Sequence, residues 1–125
     1  MQTPWTPGPA AGADGPLHAV ATEFRVRGLG GRIAFLRRSG TLARQARGAE
    51  GFVGMRMEAR ILSGVFRTVS VWTSADAARA YARSGAHLDA MRATPAGAGS
   101  VGSWPVGPED LPLPVAAGRP HLVAA

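Results

Sequence analysis

Few residues of this chain are suited to chemistry, and His87 is the most informative of them. An imidazole has an unperturbed pKa of about 6.5, so it can accept a proton from a phenol or an enol at neutral pH. His87 follows Ser84-Gly85-Ala86, where an Ala-rich helix is expected to kink or to restart. In the competing interpretation the ring is structural and bonds a neighbouring carbonyl or faces solvent. The residue type and its position make His87 the candidate catalytic residue.

Large side chains that could shape a pocket lie on either side of His87 in the sequence. Trp72 ends a buried strand, on the same side as Phe66, while Tyr81 precedes the histidine and Met91 follows it. Tyr81 lies six residues before His87, so the two would not share one face of a continuous helix. These side chains could equally be core, since an indole fills space well and methionine adapts to gaps. Phe66, Trp72, Tyr81 and Met91 are the candidate substrate-binding residues.

The chain lacks the residues or motifs that several other kinds of site need. The chain has no cysteine, which excludes disulfides, thiolate metal sites and cysteine nucleophiles. Its histidines, His18, His87 and His121, are dispersed and have no carboxylate cluster beside them, so no metal site is predicted. The GLGG loop at 28–31 lacks the GxGxxG pattern of nucleotide sites. Neither a GxSxG elbow nor the paired aromatics of RNA-binding sheets are present.

Charge and hydropathy limit the partners. The net charge is +6 and all 14 basic residues are arginine, scattered from Arg25 to Arg119 without a block, so no nucleic-acid partner is predicted. No apolar run approaches the roughly 20 residues that span a bilayer, and no membrane partner is predicted. The N-terminus has neither a basic n-region nor an apolar h-region. We therefore expect a cytoplasmic protein.

The elements that must position these residues follow a β-α-β-β-α-β order. Alternation with a period of two predicts strands, and a period of 3.6 predicts helices, the second of which has Ser74 as its N-cap. The predicted strands are 18–27, 52–62, 65–73 and 100–106, and the predicted helices are 32–47 and 75–91. This order predicts an α+β, ferredoxin-like fold with a four-stranded antiparallel sheet and two helices on one face.

The two ends of the chain differ in composition from its middle. Residues 1–17 hold four prolines and are expected to form a flexible N-terminal tail. Residues 18–106 are expected to form the ferredoxin-like domain, and residues 107–125 an extended C-terminal arm. The sequence suggests no role for Trp5.

The segment FRTVSVWTSADAARAYARSGAHLDAM, residues 66–91, carries a family resemblance. Its passage from a strand ending in Trp72 to a helix carrying His87 resembles the antibiotic-biosynthesis-monooxygenase-like proteins. These belong to the dimeric α+β barrel group, which also includes haem-degrading monooxygenases. In that group two sheets join face to face, so the resemblance implies a homodimer. The charged sheet face around Glu23 and Glu58 would then meet either water or a second copy of itself.

The resemblance implies a function for the pocket residues. The implied function is that of a cofactor-independent monooxygenase acting on a small aromatic or quinol-like substrate, with His87 taking the proton. Two alternatives stay open: a haem-binding or haem-processing protein with His87 as axial ligand, and a non-catalytic dimeric protein that binds a small apolar or aromatic ligand. The chain contains no Asn to match the helper Asn of the haem-degrading relatives.

Overall fold

The structure, a computed structural model, describes residues 1–94 and 99–124. Its centre is a six-stranded sheet with three α-helices on one face. The elements are β1 (Thr6–Pro7), β2 (Leu17–Arg25), α1 (Leu29–Ala46), β3 (Phe52–Arg60), β4 (Val65–Trp72), α2 (Ala75–Ala82), α3 (Gly85–Ala93), β5 (Gly99–Val106) and β6 (Val123–Ala124). The strand order is β1-β3-β4-β2-β5-β6, and every pair is antiparallel. The predicted α+β ferredoxin-like fold is confirmed, with two short edge strands added to the expected four.

Alternation along the strands divides the sheet into an inner face, towards the helices, and an outer face. On β4, Phe66, Thr68 and Trp72 lie on the inner face, as predicted. The alternation of the second predicted strand predicts that Val53, Met55, Met57, Ala59 and Ile61 share one face, and this prediction is wrong at Val53. Val53 joins the buried cluster of the outer face, whereas Met55 lies on the inner face. A register irregularity between Phe52 and Gly54 explains the difference, because one extra residue moves what precedes it to the opposite side.

Helical spacing predicts that Ile33, Leu36 and Ala43 form the core face of α1, with Phe35, Leu42 and Ala46 beside it; of the first set, Ala43 lines the pocket. Phe35, Leu42 and Ala46 are turned towards the sheet, with the seven- and four-residue spacings of one helical face. Ile33, predicted to be in the core stripe, is 41% exposed. The centre of the buried stripe is therefore displaced around the helix by about one residue's rotation.

The second predicted helix is two helices. Ser74 caps α2 as predicted, since its hydroxyl accepts a hydrogen bond from the Ala77 N–H at 3.1 Å. Helix α2 ends at Ala82 and α3 begins at Gly85, so the expected restart is confirmed. The change of direction brings the rings of Tyr81 and His87 together, edge to face, with centroids 5.3 Å apart. The spacing argument that kept them apart holds only for an unbroken helix.

The N-terminal residues lie against the outer face and the β3 edge, where the sequence predicts a flexible tail. The Thr3 N–H donates to the Met57 carbonyl and the Gly8 N–H to that of Val53, both at 2.9 Å. The indole of Trp5 covers Gly54 so closely that a Cβ at Gly54 would collide with it. Trp5 thus packs on the outer face, which the sequence did not suggest.

The C-terminal arm, residues 107–124, lies across the same outer face. Its Leu113 and Val115 are 4% and 6% exposed and pack against an apolar cluster on the sheet. A 3₁₀ helix, Val115–His121, continues across β2, β4 and β5, and the His121 ring stacks on Trp104 at 4.2 Å. Apolar outward residues of β2, β4 and β5 explain the docking, because they would otherwise face water. The domain boundaries stay a prediction, and residues 95–98 and 125 lie outside the described ones.

The rest of the outer face is a charged strip, formed by Glu23, Arg56, Glu58, Arg60 and Arg67. The Arg67 guanidinium bridges both acids, at 2.7 Å to Glu23 and 3.0 Å to Glu58. The pKa of Glu58 is lowered, first by a hydrogen bond from the Gln2 side chain and then by Arg67 and Arg60. Four of these five charged side chains, all except Arg56, thus form ion pairs within one chain.

Candidate functional site

A pocket of about 600 Å³ lies between the inner face of the sheet and the helices. This volume falls in the range of roughly 300–1,000 Å³ that small-molecule sites occupy. The sheet forms its floor, α1 one wall, and α2 with α3 the other. Its apolar lining includes Val20, Phe24, Phe35, Leu42, Phe52, Met55, Met57, Ala78, Ala90 and Val101. Such a site suits a ligand that is itself largely apolar.

All five candidate residues predicted from the sequence line this pocket. Phe66 and Trp72 are buried at its floor, at 2% and 3% exposure. Tyr81 and His87 line the α2–α3 wall, and Met91 lies at the rim, 56% exposed. The structure thus brings together the residues predicted to act together, while their roles stay predictions.

An aromatic series connects the floor of the pocket to His87. The Phe52 and Trp72 rings are 5.2 Å apart, and Trp72 and Tyr81 are also 5.2 Å apart. Tyr81 then contacts His87. Tilted rings at these separations attract one another, so the series holds the imidazole in a defined place.

The polar atoms of Trp72 and Tyr81 already have partners. The indole Nε1 donates to Ser70 Oγ at 3.0 Å, and the Tyr81 hydroxyl donates to the Leu42 carbonyl at 2.7 Å. Burial raises the pKa of Tyr81 to about 12. The tyrosine hydroxyl therefore connects α2 to α1 and stays protonated at neutral pH, which suits a wall residue better than a proton acceptor.

His87 differs from them in having an uncommitted polar atom. Its Nδ1 is buried and has no hydrogen-bond partner within the part of the chain that the structure describes. Burial lowers the pKa of His87, and the nearby backbone carbonyl of Ala82 opposes that shift without meeting hydrogen-bond geometry at Nδ1. The ring is therefore neutral at neutral pH and can accept a proton from a bound acid. An unmet polar atom of this kind is where a ligand would be expected to bind.

Sequence reasoning placed Thr68 on the same face as Trp72 but missed Thr22 and Arg38, which share the pocket with His87. The hydroxyls of Thr22 and Thr68 hydrogen-bond each other on the floor, across the β2–β4 pair. Arg38 lies on the α1 wall. Two-residue alternation in β2 could have placed Thr22 between Val20 and Phe24, on the same face. Helical spacing could have placed Arg38 with Phe35.

A second hollow, of about 470 Å³, lies behind Tyr81 and opens widely to solvent. Gln45, Glu50 and Ser84 contribute to it, and of the candidate residues it contains Tyr81 alone. The site is therefore assigned to the more enclosed pocket that contains His87.

The described residues contain neither a metal-binding cluster nor a membrane-spanning helix. Over residues 1–94 and 99–124, no three histidine or acidic side chains lie close enough to hold a metal ion. Within the same residues, no helix is long and apolar enough to cross a membrane.

Comparison with known proteins supports the resemblance at the level of the fold. No family model and no curated protein matches the sequence. Among solved structures, the chain is similar to SnoaB, a cofactor-independent oxygenase from Streptomyces nogalater, with 20% identity, a TM-score of 0.56 and coverage of 74% of this chain and 92% of that one. An antibiotic biosynthesis monooxygenase gives 12% identity, a TM-score of 0.61 and coverage of 70% and 95%. Rv0793 from Mycobacterium tuberculosis gives 16% identity, a TM-score of 0.58 and coverage of 74% of this chain and 94% of that one. The chain has the fold of antibiotic-biosynthesis-monooxygenase-like proteins, and the predicted resemblance is confirmed to that extent.

Proposed function

We propose that this chain is a cofactor-independent monooxygenase that acts on a small aromatic or quinol-like substrate. The observation that carries the proposal is the buried Nδ1 of a neutral His87, which has no partner among residues 1–94 and 99–124 and lies on the wall of an apolar pocket of about 600 Å³. The likeness to SnoaB, described as a cofactor-independent oxygenase, supports the same reaction class. Phe66, Trp72, Tyr81 and Met91 would hold the substrate.

The chemistry needs a base and a water-poor site. His87 removes a proton from an acidic C–H or O–H of the substrate, and the resulting anion is electron-rich enough to reduce O₂. Oxygen adds to the carbon, and the protonated His87 returns its proton to the outer oxygen, which gives a hydroperoxide. The second C–H proton is then lost from the same carbon as the O–O bond breaks, and the departing hydroxide takes up this proton to form water. A CH₂ group and O₂ thus become C=O and H₂O, with both electrons for the second oxygen atom taken from the substrate. Apolar walls favour the step by excluding water from the anion.

The test is oxygen consumption with anthrone and with 1,4-naphthohydroquinone as substrates. We expect His87→Ala to lower kcat by roughly 10²–10⁴, the usual contribution of a general base. His121→Ala is the matched control, because that histidine is exposed and lies on the outer face. Equal turnover by the wild type and His87→Ala would eliminate His87 as the base.

A haem-binding function is the second candidate, and the free Nδ1 of His87 favours it. The residues present fit a haem, since His87 would hold the iron through an imidazole nitrogen and Arg38 would pair with a propionate. Bound haem would supply redox chemistry at the pocket. A saturable Soret shift on haem addition, lost in His87→Ala, would favour this candidate; an unchanged Soret band would remove it.

A non-catalytic binding protein is the remaining alternative. It would use the same apolar pocket without a productive base. It is distinguished by a saturable thermal shift with an aromatic ligand that yields no product and consumes no oxygen.

We also propose that the protein is a cytoplasmic homodimer. The C-terminal arm covers the apolar part of the outer face, so a second sheet would meet the charged strip. Arg56 supports this, because its Nε is buried without a partner among the described residues. Light scattering during size exclusion measures the mass, and a monomeric mass would overturn the dimer.

A further inference from the structure

The wall of the pocket has an uneven charge. Among the described residues of the lining, Arg38 is the one that is formally charged at neutral pH, and no aspartate or glutamate contributes. The other polar lining groups, which include Thr22, Thr68 and Ser70, are neutral hydroxyls. A pocket with one cation and no acid has a positive potential, which favours anions over neutral molecules and cations.

The position of Arg38 in α1 directs it towards the pocket. It follows Phe35 by three residues and precedes Leu42 by four, and both of these side chains line the same pocket. Residues at such spacings lie on one face of a helix. Neighbouring Arg37, by contrast, is exposed and does not contribute to the lining.

Arg38 has no acidic partner in the protein. Among the described residues, which include every acidic residue of the chain, no carboxylate lies within 4.0 Å of its guanidinium. Arg38 as a residue is partly buried and lines a largely apolar pocket, where pairing with a carboxylate or a phenolate is stronger than in bulk water. Its planar fork also matches the two oxygens of a carboxylate.

We infer that the pocket selects an aromatic ligand bearing one anionic group and that Arg38 is the residue that recognises this group. The inference rests on the proposed function of the same pocket and narrows its substrate class. The apolar walls take the rings, Arg38 takes the anionic group at the α1 side, and His87 faces the ligand from the α2–α3 side. A neutral aromatic of the same size would fill the same space without the pairing.

The test compares 2-naphthoate with 2-naphthamide, which share a ring system and differ in charge at pH 7. Their affinities are measured by isothermal titration calorimetry for the wild type, Arg38→Met, Arg38→Lys and Arg37→Met. We expect the wild type and Arg37→Met to bind the acid at least tenfold more tightly than the amide. Arg38→Met should remove this preference and leave the affinity for the amide unchanged, and Arg38→Lys should keep part of it.

Two results would overturn the inference, and they differ in what they say of the pocket. Equal affinities of wild type for acid and amide, or a preference that survives Arg38→Met, would remove Arg38 as an anion-recognising residue and leave the pocket as a site for neutral aromatics. No binding of either probe to the wild type would overturn both the inference and the proposed function of the pocket. If Arg38→Met does not fold, the wild-type comparison still tests the preference for the anion, and Arg38→Lys still tests the role of Arg38.

Discussion

Truncating Leu113 to alanine tests whether the C-terminal arm is held on the outer face in solution. Leu113 is 4% exposed and belongs to the buried cluster that includes Leu17, Val69 and Val71. The substitution removes apolar contacts without adding a polar group. Leu62→Ala is the matched control, because that leucine is 96% exposed in the turn between β3 and β4.

The size of the effect follows from the burial. Three buried carbons at about 0.8 kcal/mol each give roughly 2.4 kcal/mol, and a cavity that fails to collapse adds to this. We expect Leu113→Ala to lower the free energy of unfolding by about 2–4 kcal/mol, because a terminal arm can relax into part of the space. Leu62→Ala should change it by less than about 0.5 kcal/mol.

Urea unfolding, followed by tryptophan fluorescence, measures the difference. With a slope of about 2 kcal/mol per molar urea, the middle of the roughly 1–3 typical of small proteins, Leu113→Ala should lower the midpoint by about 1–2 M. A midpoint equal to that of Leu62→Ala would refute the reasoning. It would mean that the arm does not contribute to the cooperative unit and that the apolar outer face is open to another partner.

Three further perturbations test the local structure. The pKa of His87 in the folded protein lies below its ordinary value of 6.5, so the unfolded chain binds the proton more readily and the free energy of unfolding should fall as the pH drops from 6.5 towards the folded pKa. Urea titrations at pH 7.5 and 5.5 should show this loss of stability in the wild type and a smaller loss in His87→Gln. The variant keeps the contribution of His18, whose pKa is also lowered. A loss as large in the variant as in the wild type would mean that His87 is exposed to solvent. Ser74→Ala should cost about 1 kcal/mol in thermal unfolding through the lost cap of α2, and an unaltered melting temperature would argue against the cap. Gly40→Ala should stabilise α1 by up to about 1 kcal/mol, since nothing lies within 4 Å of the added Cβ, and destabilisation would contradict the helix there.

Part of the candidate site could be predicted from the sequence because its signals are local. The alternation of Phe66, Thr68 and Trp72 placed them on one face, and the Ser84-Gly85 break placed a helix boundary ahead of His87. The fold class followed from the order of such local patterns. The homodimer, the substrate and the domain boundaries have no local signal and remain predictions.

The sequence by itself determined the succession of strands and helices, the Ser74 cap and the restart of the helix before His87, because each depends on residues a few positions apart. Tertiary structure alone decided that Val53 faces outward and that Tyr81 contacts His87. It also placed Arg38 in the same pocket as Tyr81 and His87, on the opposite wall. It also decided that both ends of the chain cover the outer face. These outcomes depend on strand register and on the direction of each helix, which are set by packing between residues far apart in the chain.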